Sequence, residues 1–416
     1  MAVHPGRRRN VSFFNDGSFV PAFSIKHDIS YSLLLFIWGI DPIQKKKYNP
    51  ISIFFFLLFI NKLLQLATTL HYIIMSSAHD SVSKQMDVQT DIVTLTRFIL
   101  QEQQKLAPNA TGELSLLLNS LQFAFKFIAH NIRRAELVNL LGVSGTANTT
   151  GDVQKKLDVI GDEIFINAMK SSGNVKVLVS EEQEDLIIFP GGGRYAVCTD
   201  PIDGSSNIDA GVSVGTIFGV YRIAENSSGS ISDVLRKGTE LVCAGYTMYG
   251  ASAHLMLTTG NGVNGFTLDT QLGEFILTQP NLRIPESRAI YSVNEGNSYY
   301  WPEYVKKYFE DLKKPQENGK PYSARYIGSM VADIHRTLLY GGIFAYPGDS
   351  KSKNGKLRIL YEGFPMAMLL EQAGGKAVND KGERILEILP KGIHDKSSVW
   401  LGSTKEIEKF ESYIPK

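Results

Sequence analysis

Seven short apolar runs follow one another between residues 175 and 282, and they limit the folds open to this chain more than any other feature. They read VKVLVS, YAVCTD, VGTIFGVYRI, ELVCAGYTMYG, AHLMLTTG, FTLD and EFILTQ. Each run is rich in β-branched and aromatic residues and has turn-forming residues at its ends, which is typical of strands. The pattern therefore predicts a large β-sheet in the middle of the chain.

Amphipathic helices precede this predicted sheet. Apolar residues recur at helical spacing over residues 91–106 and again from Leu114 onward. The segment APNATGEL separates the two helices, and Thr111 within it could cap the second one. A third helix is predicted over residues 153–170. Helices before a strand series indicate a mixed α/β protein built in layers.

A second structural unit follows the strand series. The polar segment PNLRIPES ends the series, and AIYSVNEG then begins a new alternation of strands and helices. We place a domain boundary near residue 282, so that residues 75–282 form one domain and residues 283–416 the other.

Composition excludes some classes of function. The chain has 416 residues, of which 43% are hydrophobic, so it can bury the cores of two or three domains. Its formal net charge of +1 does not indicate a nucleic-acid-binding surface. Two cysteines, Cys198 and Cys243, are too few for a disulfide framework and lack metal-ligand spacing. We therefore expect a reducing compartment and predict a cytoplasmic protein.

Residues 1–74 differ in kind from the rest. They combine the basic clusters RRR and KKK with apolar runs, and Lys62 lies near the middle of the only run that approaches membrane-spanning length. Three interpretations stay open: a membrane-associated leader, a targeting extension, or an upstream stretch absent from a native protein that begins at Met75. We favour the third, because MSSAHDSVSKQMD is typical of a polar chain start. Membrane contact is expected only if residues 1–74 are present and inserted.

Carboxylates stand beside several apolar segments in the first domain and once in the second. They are Asp152, Asp158, Glu181, Glu182, Asp200, Asp203 and Glu362. Loops at strand ends often carry sites, and clustered carboxylates resist ionisation unless a cation compensates them. Oxygen ligands without His or Cys suit a hard cation. The sequence therefore predicts a site for Mg²⁺, with Mn²⁺ as the alternative.

The segment DPIDGSS adds features that suit phosphate chemistry. Asp200 and Asp203 can face one pocket, with the carbonyl oxygen of Ile202 as a further ligand. Gly204 lets the backbone come close to a bound group. Ser205 and Ser206 would present N–H groups at the start of a helix, which is a ready anion site. Together these residues predict metal-assisted phosphoester chemistry.

Seven segments together resemble the fructose-1,6-bisphosphatase family, particularly its fungal form. They read GDVQKKLD, VLVSEEQED, DPIDGSSNID, NEGN, ARYIGSMVADIHRTLLYGGIFAYP, GKLRILYEGFPMAMLLEQAGGKAV and SSVWLGS, and the likeness runs from about Asp91 to the C-terminus. The resemblance implies a two-domain αβαβα sandwich, a homotetramer and a place in gluconeogenesis. It also implies Mg²⁺-dependent hydrolysis of fructose 1,6-bisphosphate to fructose 6-phosphate, with two or more ions in each active site.

The matching motifs assign catalytic roles residue by residue. The metal ligands implied by the resemblance are Glu181, Glu182, Asp200, Asp203, Glu362 and the carbonyl of Ile202. Asp152 lies in the motif of a mobile loop that completes the metal site. Asp158 and Glu182 match the residues that help to activate the attacking water.

The resemblance also implies two sites for the phosphates of the substrate. The phosphate to be cut is expected at Asp203, Gly204, Ser205 and Ser206. The second phosphate is expected at Asn294, Arg325, Tyr326, Tyr346, Lys356 and Arg358, with Arg325 reaching over from a neighbouring subunit. Arg and Lys supply charge, whereas Tyr and Asn fix orientation. One departure is Asn297, which stands where the family often has Tyr.

A regulatory site for AMP is implied as well. Its matching residues are Thr111, Gly112, Glu113, Ser115, Arg194, Tyr195 and Arg222. A helix start together with two arginines also suits a phosphate group on physical grounds. Arg194 and Ser115 stand where relatives can have Lys and Thr.

Other functions stay open. An inositol-monophosphatase-like enzyme would share the metal chemistry but would not need the second-phosphate residues. A sedoheptulose-1,7-bisphosphatase acts on a substrate with one more carbon between its phosphates, and it is harder to exclude. An inactive scaffold is a third hypothesis, against which the complete carboxylate set argues. His335, in an apolar helix, and His394, in a loop, are interpreted as structural.

Overall fold

The computed structural model describes residues 91–106, 110–147 and 153–416, and outside these ranges only Lys62. The interpretation of residues 1–74, the start at Met75 and the role of Asp152 therefore lie outside the described residues. The chain divides into two units, Met1–Gln89 and Thr90–Lys416, and the structure below is that of the second.

Seven α-helices lie within the described ranges. They are α1 (Leu95–Lys105), α2 (Glu113–Ile132), α3 (Lys156–Ser172), α4 (Glu303–Leu312), α5 (Met330–Tyr340), α6 (Phe364–Gln372) and α7 (Thr404–Glu411). The first two confirm the helices predicted from apolar spacing. The third begins three residues later than predicted, because residues 153–155 pair with an earlier strand instead.

Most of the strands belong to two sheets. In chain order the strands are β1 (Val143–Ala147), β2 (Val153–Lys155), β3 (Val175–Ser180), β4 (Ile187–Ile188), β5 (Tyr195–Asp203), β6 (Val214–Arg222), β7 (Leu241–Tyr249), β8 (Ala253–Thr258), β9 (Val263–Asp269), β10 (Glu274–Leu282), β11 (Ile290–Ser292), β12 (Ser323–Ala324), β13 (Ile343–Tyr346), β14 (Leu357–Arg358), β15 (Lys376–Val378), β16 (Lys396–Ser397) and β17 (Val399–Gly402).

The larger sheet confirms the strand series read from the sequence. It has eight strands in the order β10-β9-β8-β7-β6-β5-β3-β4, so every predicted run is present and only the two-residue β4 is added. Strands β3 and β5 are parallel, and the other neighbouring pairs are antiparallel. The second sheet has five strands in the order β12-β11-β13-β17-β15.

Helices cover both faces of each sheet. Helices α1, α2 and α3 pack on one face of the larger sheet around Leu117, Phe165 and Phe218. Helices α5 and α6 fill the space between the two sheets. Helices α4 and α7 pack on the far face of the smaller sheet around Tyr308 and Trp400. The order of layers is therefore α, β, α, β, α, as predicted.

The start of α2 differs from the prediction. Its N-cap residue is Gly112, with a φ of +84°, and no side chain caps the helix. The Thr111 hydroxyl instead donates to the Glu113 carboxylate at 2.9 Å. The prediction that Thr111 caps this helix was therefore wrong, because the left-handed backbone at Gly112 makes the turn without a side-chain cap.

Candidate active site

A cleft of about 540 Å³ lies in the Thr90–Lys416 unit and collects residues from both sheets. Its lining includes most of the residues assigned above to catalysis, metal and substrate. These are Asp158, Glu181, Glu182, Asp200, Ile202, Asp203, Gly204, Ser205, Ser206, Asn294, Tyr326, Tyr346, Lys356, Arg358 and Glu362. Residues more than 200 positions apart in the chain therefore share one cavity.

The end of β5 brings two of the aspartates to the same side. Asp200 pairs with Ile217 and Asp203 pairs with Gly215, so two residues of β5 face one of β6. Residues three apart in a regular strand point to opposite faces of the sheet, and a bulge of this kind removes that alternation. Asp200 and Asp203 then meet Glu362, which lies in the turn Ile359–Gly363 before α6.

The three carboxylates are close and buried. Among the described residues, carboxylate oxygens of Asp200, Asp203 and Glu362 lie within 4.8 Å of one another. Asp203 accepts hydrogen bonds from the Val331 N–H at 2.9 Å and the Ser329 hydroxyl at 3.2 Å. These bonds leave its other oxygen for the cleft. The grouping matches the oxygen-only ligand set that hard divalent cations prefer.

Electrostatics make this cluster a receptor for positive charge. Burial, with the neighbouring charge of Glu181, raises the pKa of Asp200 well above its ordinary value. Burial likewise raises the pKa of Asp203 to about 6 and that of Glu362 to about 8. Because each shift opposes ionisation, a bound cation would restore the charged carboxylates. The residues present therefore fit a divalent metal ion.

Arg358 contributes the positive charge nearest this cluster in the cleft lining. Its guanidinium forms an ion pair with Glu181, with 2.8 Å between nitrogen and oxygen, and its backbone N–H donates to Glu362 at 2.5 Å. Arg358 is itself buried. The resemblance implied a substrate contact for this residue, and it also links two of the predicted metal ligands, Glu181 through its side chain and Glu362 through its backbone N–H.

Asp158 lies at the start of α3 and faces the same cleft. One carboxylate oxygen accepts from the Lys155 N–H at 2.7 Å, which satisfies one of the free N–H groups at the helix start. The other oxygen, Oδ1, is buried and makes no hydrogen bond within the described residues. Burial raises the pKa of Asp158 to about 6, so the group is placed to exchange a proton near neutral pH.

Polar side chains line the same cleft as the acidic cluster. Asn294, Tyr326, Tyr346 and Lys356 lie there, and Lys356 is exposed to solvent. Arg325 does not line the cleft, because it is exposed and its guanidinium donates to the Ala324 carbonyl. Asn297 lies in the short helical turn Glu295–Tyr300, and it too is outside the lining.

Comparison with known proteins identifies the chain. A family model described as "Fructose-1-6-bisphosphatase, N-terminal domain" matches residues 93–280, and "Fructose-1-6-bisphosphatase, C-terminal domain" matches residues 284–415. The fructose-1,6-bisphosphatase of Kluyveromyces lactis is 67% identical over 341 residues, covering 79% of this chain and 96% of that protein. The Saccharomyces cerevisiae enzyme is 68% identical over 330 residues, covering 79% and 94%.

The chain belongs to the fructose-1,6-bisphosphatase family. It is therefore a phosphatase, and divalent-metal dependence is a family property that the acidic cluster matches. The holo structure of Leishmania major fructose-1,6-bisphosphatase is similar, with 49% identity and a TM-score of 0.73, covering 77% of this chain and 98% of that one. No helix in the described part of the chain is long and apolar enough to cross a membrane.

Sequence reasoning missed two charged residues in the lining of this family member's cleft. Asp333, fully buried, accepts hydrogen bonds from the Ile327 and Gly328 N–H groups and from the Ser292 hydroxyl. Lys155 lines the cleft as well, and its ammonium group pairs with Asp209 at 2.7 Å. Asp333 could have been noticed as a carboxylate in the first turn of an otherwise apolar helix.

A second cleft of about 330 Å³ lies at the start of α2. Of the seven residues matched to AMP binding, it is lined by Thr111, Gly112, Ser115, Tyr195 and Arg222. Glu113 and Arg194 are outside the lining and form an ion pair at 3.5 Å. Arg194 also pairs with Glu225. Gln103, which sequence reasoning missed, lines this cleft and accepts the Ser115 hydroxyl at 2.6 Å.

Proposed function

We propose that this family member hydrolyses the C1 phosphate of fructose 1,6-bisphosphate, giving fructose 6-phosphate and phosphate in gluconeogenesis. One observation carries the proposal: the acidic cluster and the polar set Asn294, Tyr326, Tyr346 and Lys356 line the same cleft. A substrate with two phosphates can use both sets at once. A monophosphate would use only the acidic side, so the second set favours a bisphosphate.

Two or more Mg²⁺ ions are the proposed cofactor, with Mn²⁺ as the alternative. The ligands would be the carboxylates of Glu181, Glu182, Asp200, Asp203 and Glu362, with the backbone carbonyl of Ile202. When bound, such ions lower the pKa of water, orient it and neutralise charge on the leaving oxygen. The buried trio of Asp200, Asp203 and Glu362 supports this proposal.

Asp158 is the proposed general base. With a pKa of about 6 it is mostly ionised above pH 7, and its unpaired Oδ1 can accept a proton from the attacking water. Glu182 is proposed to assist it, and Asp152 to complete the site from its loop. The phosphate under attack would lie against Gly204, Ser205 and Ser206, where the short helix Ser205–Ala210 begins.

The backbone at Gly204, where the proposed phosphate site begins, packs closely against Ser329. Gly204 has a φ of +76°, and an added Cβ would lie 2.9 Å from the Ser329 Cβ. Only glycine fits this position without moving α5, whose N-cap is Ser329.

The second phosphate is proposed to bind Asn294, Tyr326, Tyr346, Lys356 and Arg358. Arg325 is proposed to reach the same phosphate in a neighbouring copy of the chain. Its exposure and its position outside the cleft of its own chain support this assignment. The proposal therefore includes a homotetramer, in which each site is completed by a partner subunit.

AMP is proposed as an allosteric inhibitor that binds the second cleft. A helix start, the hydroxyls of Thr111 and Ser115 and the charge of Arg222 suit a nucleoside monophosphate. Tyr195 would pack against the ligand. Glu113 and Arg194 are proposed to hold the wall of the cleft through their ion pair.

We also propose a cytoplasmic location, which the two buried, unpaired cysteines support. The domain limits 75–282 and 283–416 stay part of the proposal, and so does the interpretation of residues 1–74 as an atypical extension. An intact-mass measurement tests the favoured interpretation that the native protein lacks residues 1–74: a species that retains them would contradict it.

Phosphate release from three substrates tests the proposed function. Fructose 1,6-bisphosphate, sedoheptulose 1,7-bisphosphate and inositol monophosphate are compared with Mg²⁺, with and without AMP. We expect the highest kcat/KM with fructose 1,6-bisphosphate and inhibition by AMP. A higher kcat/KM with either other substrate would replace the assignment, and a folded protein that hydrolyses none would favour the scaffold hypothesis.

A further inference from the structure

Glu181–Glu182 and Glu362 lie on two of the chain segments that carry predicted metal ligands, and His394 lies between residues that neighbour them. Glu181 and Glu182 precede Gln183 and Glu184, whereas Glu362 follows Tyr361. The Nε2 atom of His394 lies 3.1 Å from the Gln183 carbonyl oxygen and 3.3 Å from that of Glu184. Its Nδ1 atom lies 2.8 Å from the Tyr361 hydroxyl. One imidazole ring therefore bridges the two segments.

The partners define how the ring is protonated. A carbonyl oxygen only accepts hydrogen bonds, so Nε2 of His394 must carry a proton. In the neutral ring Nδ1 then accepts a hydrogen bond from the hydroxyl of the fully buried Tyr361. Both ring nitrogens are satisfied, and neither has a free position toward the cleft. His394 is also absent from the residues that line it.

Other contacts of the same loop hold the Arg358 segment. The Ile359 N–H donates to the Asp395 carbonyl at 2.8 Å, and β14 pairs with β16 directly after His394. Arg358 of β14 in turn forms the ion pair with Glu181. The loop that carries His394 is therefore linked on both sides to residues that support the acidic cluster.

The opposite side of the Glu181–Glu182 turn is held by Asp162. Its two carboxylate oxygens accept from the Ser180 hydroxyl at 2.6 Å and from the Gln183 side-chain amide at 2.5 Å. Asp162 of α3 therefore holds this turn through side chains, whereas His394 holds it through backbone carbonyls and ties it to Tyr361, the residue before Glu362.

We propose that His394 is a positioning residue, which sets the spacing between the Glu181–Glu182 turn and Glu362 and thereby the affinity of the cleft for divalent cations. The inference rests on the proposed function for its metal site. Groups that orient metal ligands from outside the coordination sphere commonly change metal affinity by 10- to 100-fold when they are removed. His394 acts here through backbone carbonyls and one tyrosine, and it contacts neither metal nor substrate.

Three variants of the full chain test this role. His394→Asn removes the donor to the two carbonyls, Tyr361→Phe removes the donor to the ring, and His394→Gln keeps a donor near Nε2. Mn²⁺ binding is measured by electron paramagnetic resonance of the free ion, and Mg²⁺ dependence by phosphate release. We expect about 10-fold weaker Mn²⁺ binding in His394→Asn and Tyr361→Phe, partial recovery in His394→Gln, and an unchanged KM for the bisphosphate at saturating Mg²⁺.

Tyr246→Phe is the matched control. Tyr246 is also fully buried, its hydroxyl lies 2.9 Å from Nδ1 of His335, and neither residue lines the cleft. Removing it costs a tyrosine–histidine hydrogen bond of the same kind, so we expect a similar loss of thermal stability with unchanged Mn²⁺ binding. Tyr361→Phe provides the test even if His394→Asn does not fold.

Two results would overturn the inference. One is Mn²⁺ binding within twofold of wild type in the folded Tyr361→Phe protein. The other is an equal loss of Mn²⁺ affinity in Tyr246→Phe, which would assign the effect to general stability. If the wild-type chain binds Mn²⁺ but releases no phosphate from fructose 1,6-bisphosphate, the proposed function fails while the positioning role is still decided by the Mn²⁺ titrations.

Discussion

The two clefts of the molecule present opposite chemistry to a ligand. The first gathers buried carboxylates whose pKa values are raised, so it favours positive charge. The second lies at a helix start beside Arg222 and two hydroxyls, so it favours negative charge. The first is built by residues from both sheets, whereas the second uses α1, α2 and nearby strands. The first cleft therefore forms only when distant segments of the chain have folded together, whereas the second depends mainly on the start of α2 and its neighbours.

The largest expected effect is on catalysis in the first cleft, when the proposed base is substituted. Asp158→Asn keeps the shape of the side chain but cannot accept the proton, so we expect kcat to fall by about 10³-fold. Steady-state phosphate release at saturating substrate and Mg²⁺ measures this. Asp380→Asn is the control, since Asp380 is partly buried and accepts hydrogen bonds from the Trp400 indole N–H and the Gly348 N–H outside the clefts. A kcat within tenfold of wild type in Asp158→Asn would remove the assignment.

The next largest expected effect is on the pH dependence of the free energy of unfolding, and it comes from a carboxylate in the first cleft. Because the folded pKa of Asp158 is about 6 and its ordinary value is 3.8, the folded protein binds this proton more tightly than the unfolded chain. With a chelator present to remove metal ions, the stabilisation contributed by Asp158 is complete below pH 3.8. It is lost as the pH rises through 6, which lowers the free energy of unfolding by about 3 kcal/mol. Asp158→Asn should flatten this part of the curve of unfolding free energy against pH. An unchanged curve would contradict the burial argument.

Loss of the Lys356 charge from the lining of the first cleft should have an intermediate effect on substrate binding. Lys356→Ala removes a proposed partner of the second phosphate, so we expect KM for fructose 1,6-bisphosphate to rise about 30-fold with kcat little changed, as for a lost charge-assisted hydrogen bond. Lys353→Ala, a nearby exposed lysine outside the lining, serves as the control. Equal KM values in the two variants would exclude Lys356 from the phosphate site.

The smallest expected effect is at the second cleft, where a substitution should weaken AMP binding and leave kcat nearly unchanged. Arg222→Ala removes an exposed guanidinium from its lining, so we expect AMP binding to weaken about 10-fold with kcat within about twofold of wild type. Titration with AMP at fixed substrate measures it. Arg384→Ala is a control, because Arg384 pairs with Glu371 and lies outside this lining. AMP inhibition of equal strength in Arg222→Ala would assign AMP to another site.

Much of the fold could be predicted from local pattern. The seven apolar runs became seven strands of one sheet, because each run is long enough to span the sheet and is bounded by turn residues. The start of α2 could not be predicted in detail, since a left-handed Gly112 replaced the expected side-chain cap. The bulge at the end of β5 was also invisible, because register depends on the partner strand.

The sequence predicted some residues of the candidate site but not others. Motifs named the carboxylates, but nothing local indicated that Asp333 would hold the loop at Ile327 and Gly328 from inside a helix. His394 was interpreted as structural because a loop histidine carries no pattern. Its role as a bridge depends on two carbonyls more than 200 residues earlier in the chain. Such contacts follow from packing and have no sequence signature.

The sequence by itself determined the layered α/β class, the strand series and the residue types of both clefts, because periodicity, turn residues and motif spacing are local properties. Tertiary structure alone decided that Asp200, Asp203 and Glu362 lie within 4.8 Å of one another and that burial raises their pKa values. The reason is physical. A carboxylate changes its proton affinity only when distant segments exclude water from it and bring other charges close.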